Sequence, residues 1–221
     1  MVQNLKMCDA TKASLITFSP AHKICILYTI ASLLFTGYLC RMQKSKWQQA
    51  ILANMNIAAL NSMQQAAVET ILKQQEVLLL SPTGTGKTLA FLLPLVQLLK
   101  ADENKVQCLI LTPSRELALQ TEQVWKKMSV PFKINCCYGG HSFETEIQNL
   151  NQPPALLVGT PGRIADHLRR GTFDTAGIKI LILDEFDKSL ALGFQDEMSF
   201  IIAALKNLQK RVLVSATDAS G

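Results

Sequence analysis

Six short apolar runs, each followed by a longer helical pattern, constrain this chain more than any other feature of its sequence. The runs are EVLLLS (76–81), QCLILT (107–112), KINCCY (133–138), ALLVGT (155–160), KILILD (179–184) and RVLVSA (211–216). Each is continuous rather than alternating, the pattern of a strand buried on both faces. The intervening segments read as helices over 64–73, 88–100, 116–128, 143–150, 163–170 and 194–208. Strand followed by helix, repeated, predicts an α/β fold with a mostly parallel, twisted sheet and helices on both faces. In such a sheet ligands sit beyond the carboxyl ends of the strands, so the residues just after each run are the ones to search.

Composition removes several other classes. A chain of 221 residues that is 48% hydrophobic and 18% charged buries a substantial core and is not a disordered tail. Its six cysteines include no C-x-x-C pair and read as free thiols in a reducing compartment, which places the protein in the cytoplasm. The net charge is +5, but residues 1–41 supply +3 of it and the remainder only +2. Bulk charge therefore says little about partners, and a nucleic-acid case has to come from placed residues. His22, His141 and His167 are scattered, with no His/Cys/Asp spacing of a metal site.

Residues 24–40 form 17 uncharged positions between Lys23 and Arg41. That is the lower limit for a membrane-spanning helix, and no A-x-A pattern follows to mark a signal peptide. Two expectations stand for residues 1–41: a membrane anchor, or sequence upstream of an authentic start at Met42. The second is preferred; a membrane is a partner only if residues 24–40 are a real anchor.

Directly after the first run comes SPTGTGKT, Ser81 to Thr88, opening a helical pattern. Glycines at 84 and 86 free the backbone to turn its N–H groups around phosphate oxygens, and the helix N-terminus adds a favourable dipole. Lys87 would reach the β- and γ-phosphates and the Thr88 hydroxyl would bind Mg²⁺. Ser81 stands where the general phosphate-loop motif has its first glycine. The fifth run ends in DEFD (184–187), where Asp184 can hold the Mg²⁺ shell and Glu185 can accept a proton from an attacking water.

With these residues in place, the string of motifs resembles the first helicase domain of the DEAD-box RNA helicases of superfamily 2, over 42–217. SPTGTGKT resembles motif I, and TPSRELALQ (112–120) resembles motif Ia with Ser114 for Thr. YGG (138–140) resembles the glycine doublet, TPGR (160–163) motif Ib, DEFD motif II with trailing Leu190, Gly193 and Phe194, and SAT (215–217) motif III. The resemblance implies a RecA-like P-loop domain that uses ATP and Mg²⁺ and binds RNA without regard to sequence. It implies nucleotide contacts from Thr83, Gly84, Thr85, Gly86, Lys87 and Thr88, with Lys87, Asp184 and Glu185 catalytic and Thr88 and Asp184 on the metal. Upstream, Gln64 would read adenine, Trp47 matches an isolated aromatic, and Ile57 stands where the family has a stacking aromatic. RNA contacts carry over to Pro113, Arg115, Gly139, Gly140, Thr160, Gly162 and Arg163. Asp187 would couple the nucleotide site to RNA through Ser215 and Thr217. Phe186 replaces a small residue and puts local packing in question. Residues 218–221 are expected to be a truncated C-terminal end, with the second helicase domain and its arginine finger absent, so poor activity alone is expected. Two alternatives stay open, a nucleotide-binding RNA module without helicase activity and a DNA-directed superfamily 2 helicase.

Overall fold

In a computed structural model of the chain, residues 47–216 are described; the expectations for residues 1–41 and 218–221, and for Thr217, lie outside them. The elements run α1 (47–54), α2 (Ser62–Lys73), β1 (Glu76–Leu80), α3 (Lys87–Leu98), β2 (Cys108–Leu111), α4 (Arg115–Met128), β3 (Ile134–Cys137), α5 (Phe143–Leu150), β4 (Leu156–Gly159), α6 (Pro161–Arg169), β5 (Ile180–Asp184), α7 (Phe186–Ala191), α8 (Gln195–Ala204) and β6 (Lys210–Ser215). All six apolar runs are strands of one sheet, in the order β1-β6-β5-β2-β4-β3. Every pairing is parallel, a RecA-like α/β arrangement. Helices α1 and α7 lie outside the six helical segments read from the pattern.

Alternation along the strands sorts the apolar side chains between two cores. Ile110, Val158, Ile182 and Val214 join one core with Ile71, Phe91 and Trp125 from α2, α3 and α4. Leu109, Leu157 and Leu181 join the other with Ile164, Met198 and Ile201 from α6 and α8. Burying one such aliphatic side chain stabilises the fold by roughly 1.5–3 kcal/mol. Strands β2, β4 and β5 are buried at every position, as continuous apolar runs predict. Strand β1 corrects that expectation. It lies at the sheet edge, and among the described residues nothing covers one of its faces, so Leu78 is 57% and Leu80 51% exposed.

The register matters most for function, because it lines up the carboxyl ends of all six strands. Leu80 stands opposite Ser215 and Asp184 opposite Val214. Leu111 lies between Leu183 and Gly159, and Gly159 is opposite Cys137. The loops that follow β1, β5, β2, β4 and β3 thus emerge along one edge, which the end of β6 shares.

Candidate functional site

On one half of that edge lies the phosphate loop. Gly86 has φ +83°, the left-handed region, and caps the start of α3. Ser81 accommodates the position of the motif's first glycine by bracing the loop: its Oγ lies 2.8 Å from Thr85 Oγ1, which itself donates to the Pro82 carbonyl at 2.8 Å. Lys87 is buried and folds back across the loop, donating to the carbonyls of Ser81 at 2.7 Å and Pro82 at 2.9 Å. Its ammonium is thereby held where a phosphate oxygen would otherwise compete with two carbonyls.

Helix α2 is tied to this loop by its own cap. Asn61 accepts from the Gln64 N–H at 2.8 Å, and Gln64 Oε1 accepts from the Asn61 N–H at 3.0 Å, a reciprocal capping box. The other ends of both side chains reach the loop: Asn61 Nδ2 donates to the Thr85 carbonyl at 3.1 Å and Gln64 Nε2 to the Gly86 carbonyl at 3.3 Å. A cavity of about 490 Å³ runs from here to the acidic end of β5, lined by Ile57, Gln64, Thr83, Gly84, Gly86, Lys87, Thr88, Asp184 and Glu185. Met55, Leu117, Gln120 and Val124 also line it. No spacing in the sequence pointed to these four, since Leu117, Gln120 and Val124 belong to the helix after β2 and reach the cavity only through packing. Trp47 is not brought to it. This indole is 42% exposed and lines a separate cavity of about 580 Å³ with Trp125 and Phe132.

Asp184 ends β5, is 3% exposed, and has its carboxyl raised to about 7 by burial first and by the neighbouring Glu185 charge second. Two adjacent carboxylates, one of them buried, form an arrangement that a divalent cation would relieve, so Asp184 and the Thr88 hydroxyl fit a nucleotide-bound Mg²⁺. Glu185 sits at φ 47°, unusual for a residue with a side chain, and accepts from Lys188 Nζ at 3.0 Å. The Phe186 ring finds room against the second core. Asp187 and Ser215 share no hydrogen bond: Ser215 Oγ donates to the Ala216 carbonyl, and Asp187 Oδ1 is buried without a partner among the described residues. The coupling contact from Asp187 to Ser215 is thus not made here.

On the other half of the edge, after β2, β3 and β4, lie the segments matched to RNA contacts. Ser114 caps α4, accepting from the Leu117 N–H at 3.2 Å, which leaves Arg115 at the first turn with its side chain 58% exposed. Arg115 also stands next to the turn after β3, with Nη1 3.8 Å from where a Gly140 side chain would begin. Gly139 and Gly140 are exposed, Thr160 caps α6, and Gly162 lies beneath Phe194. Pro113 is buried and shapes the turn rather than offering surface. Arg163 differs from Arg115: it is 14% exposed and donates to the carbonyls of Tyr138, at 3.1 Å, and His141. Its guanidinium is committed to the protein's own turn.

Beneath that turn is a cluster that linear spacing concealed. Glu146 of α5 meets His167 of α6 at 2.7 Å with both side chains buried, and Cys137 Sγ lies within 4.8 Å of their ligand atoms. Scattered in sequence, these residues converge because β3, α5 and α6 pack together. The carboxylate already has partners, with Arg163 Nε at 3.4 Å supplying positive charge, and burial holds the Cys137 thiol far above its usual range and so protonated.

The DEAD/DEAH box helicase family profile matches residues 61–220. The chain belongs to this family. It is 37% identical over 158 residues to the ATP-dependent RNA helicase DeaD of Escherichia coli (strain K12), covering 70% of this chain and 25% of that protein. To the ATP-dependent RNA helicase CshA of Limosilactobacillus reuteri it is 36% identical over 157 residues, 70% of this chain and 32% of that one. The chain thus spans about a quarter to a third of these relatives' length. Among solved structures, a DEAD box protein from the hyperthermophile Methanococcus jannaschii superimposes with a TM-score of 0.66 at 34% identity, covering 70% of this chain and 43% of that one. A hypothetical ATP-dependent RNA helicase from Sulfolobus tokodaii gives 0.69 at 28%, covering 78% and 50%. The DEAD-box match takes in every described motif from Gln64 to Ser215. No helix among the described residues is long and apolar enough to cross a membrane.

Proposed function

We propose that this chain binds ATP with Mg²⁺ at the 490 Å³ cavity and RNA along the neighbouring loops, as the N-terminal domain of an ATP-dependent RNA helicase. The supporting observation is the alignment of strand ends, which sets the phosphate loop and Asp184–Glu185 on the same edge as Arg115, Gly140 and Gly162. Bound Mg²⁺ would neutralise phosphate charge beside Thr88 and Asp184. Lys87 exchanges its carbonyl partners for phosphate oxygens, and Glu185 leaves Lys188 to take a proton from the attacking water. Gln64 offers adenine both a donor and an acceptor, while Ile57 gives an apolar contact in place of a stack. Backbone N–H groups at Gly140 and Gly162 and the Arg115 guanidinium suit phosphate oxygens, so RNA is bound without base identity. Coupling of the two sites through Asp187, Ser215 and Thr217 requires a contact between Asp187 and Ser215 that is not made in this structure.

A second helicase domain, in cis or trans, supplies the arginine finger, worth about 10³–10⁵ in rate, so hydrolysis by this chain alone is slow. The buried free thiols of Cys108 and Cys137 suit a reducing, cytoplasmic location. Fluorescent-nucleotide titration and ATPase assays with RNA or DNA test the proposal. Nucleotide binding abolished by Lys87→Ala, RNA affinity exceeding DNA affinity, and low turnover are expected. Strong RNA-stimulated turnover by this chain alone contradicts the need for the second domain, and equal stimulation by DNA contradicts the RNA assignment.

A further inference from the structure

The Glu146 carboxylate touches neither the nucleotide cavity nor open surface, yet each of its oxygens serves a different RNA-facing segment. Oε1 accepts from the Tyr138 N–H at 3.1 Å, at the start of the turn that carries Gly139 and Gly140. Oε2 faces Arg163 Nε at 3.4 Å and His167 Nε2 at 2.7 Å, both on α6, the helix that opens with Gly162. The glutamate side chain is 1% exposed. Arg163 closes the circuit by donating to the Tyr138 and His141 carbonyls of the same turn. Around it, Phe143 stacks on the His167 ring at 4.3 Å, and His167 Nδ1 is 2.7 Å from Thr172 Oγ1, so the imidazole is fixed at both nitrogens.

We infer that Glu146 is a positioning residue that locks the 138–141 turn to the first turn of α6, so that the backbone N–H groups of Gly139, Gly140 and Gly162 face the RNA backbone as one rigid set. This rests on the RNA-binding reading above. Burying a carboxylate is costly unless charge and hydrogen bonds compensate it, and here the compensation comes from the 138–141 turn and from both ends of α6, Arg163 in its first turn and His167 in its last. Removing it leaves Arg163 without its counter-charge and the Tyr138 N–H without its acceptor, which frees the turn while the phosphate loop, on the far half of the sheet, keeps its bracing. Preorganised donors bind a phosphate chain better than mobile ones because their ordering cost is already met.

The test compares the full chain with Glu146→Ala and Glu146→Gln, measuring labelled oligouridine affinity and fluorescent-ADP affinity on the same samples. Glu146→Ala is expected to weaken RNA binding by about tenfold or more while nucleotide affinity stays within about twofold. Glu146→Gln keeps the shape and one acceptor but turns an amide toward Arg163, so its loss falls between. A general structural defect would lower both affinities together, and that outcome overturns the inference. Unchanged RNA affinity in Glu146→Ala, or in Glu146→Gln should the alanine variant not fold, also overturns it. Absence of RNA binding by the unmutated chain defeats the RNA reading itself, and this inference with it.

Discussion

Gln64 and Gly86, 22 residues apart in sequence, meet at a 3.3 Å hydrogen bond from the side-chain amide to the backbone carbonyl. This contact ties helix α2 to the loop that opens α3. It is made against a glycine so closely that a Cβ on residue 86 would fall 2.4 Å from Gln64 Nε2.

Gly86→Ala therefore combines two penalties. The left-handed φ costs an alanine about 1–2 kcal/mol, and the methyl group displaces the Gln64 amide. Nucleotide affinity is expected to fall about tenfold or more, with stability lower by roughly 1–2 kcal/mol. Adding Gln64→Ala removes the obstacle, so the double variant should lose less stability than the sum of the single losses. Urea denaturation and nucleotide titration check both; strict additivity would show that the two residues do not interact.

The raised carboxyl of Asp184 makes the stability of the metal-free protein depend on pH. Its folded value of about 7 lies above the ordinary 3.8, so between the two the folded chain holds a proton that the unfolded chain releases. The stability associated with that proton is complete below about pH 4 and is lost as pH rises through about 7. Asp184→Asn removes the titration. Without Mg²⁺ it should exceed the parent in stability by roughly 1–3 kcal/mol at about pH 8, with the gap narrowing towards about pH 5. Denaturation curves at the two pH values decide it, and a constant gap would mean that Asp184 is not the group titrating.

The two arginines matched to RNA contacts should separate experimentally. Arg115 is exposed and among the described residues pairs with its neighbour Glu116, so Arg115→Ala should leave stability within about 0.5 kcal/mol and lower the salt slope of RNA binding by about one. Arg163→Ala strands the buried Glu146 charge and should cost on the order of 3 kcal/mol in stability, with RNA affinity lost through the turn. Salt-dependent binding isotherms beside melting curves distinguish the roles; equal melting temperatures for the two variants would contradict the division.

The local sequence determined the six strands, most of the helices and the motifs at their ends, because apolar runs, a glycine-bearing loop and an acidic strand end each act within a few residues. Even the cap that steers Gln64 is local, written in Asn61 and Gln64 three positions apart. The tertiary structure decided the strand order, and with it the division of one edge into a proposed nucleotide half after β1 and β5 and a proposed RNA half after β2, β4 and β3. It exposed Leu78 and Leu80 on an edge strand, left Trp47 on another cavity, turned Arg163 inward and assembled Glu146, His167 and Cys137. Those outcomes depend on which helix packs over which strand. Contacts between residues far apart in the chain leave no periodicity or spacing in the sequence, so only the folded arrangement fixes them.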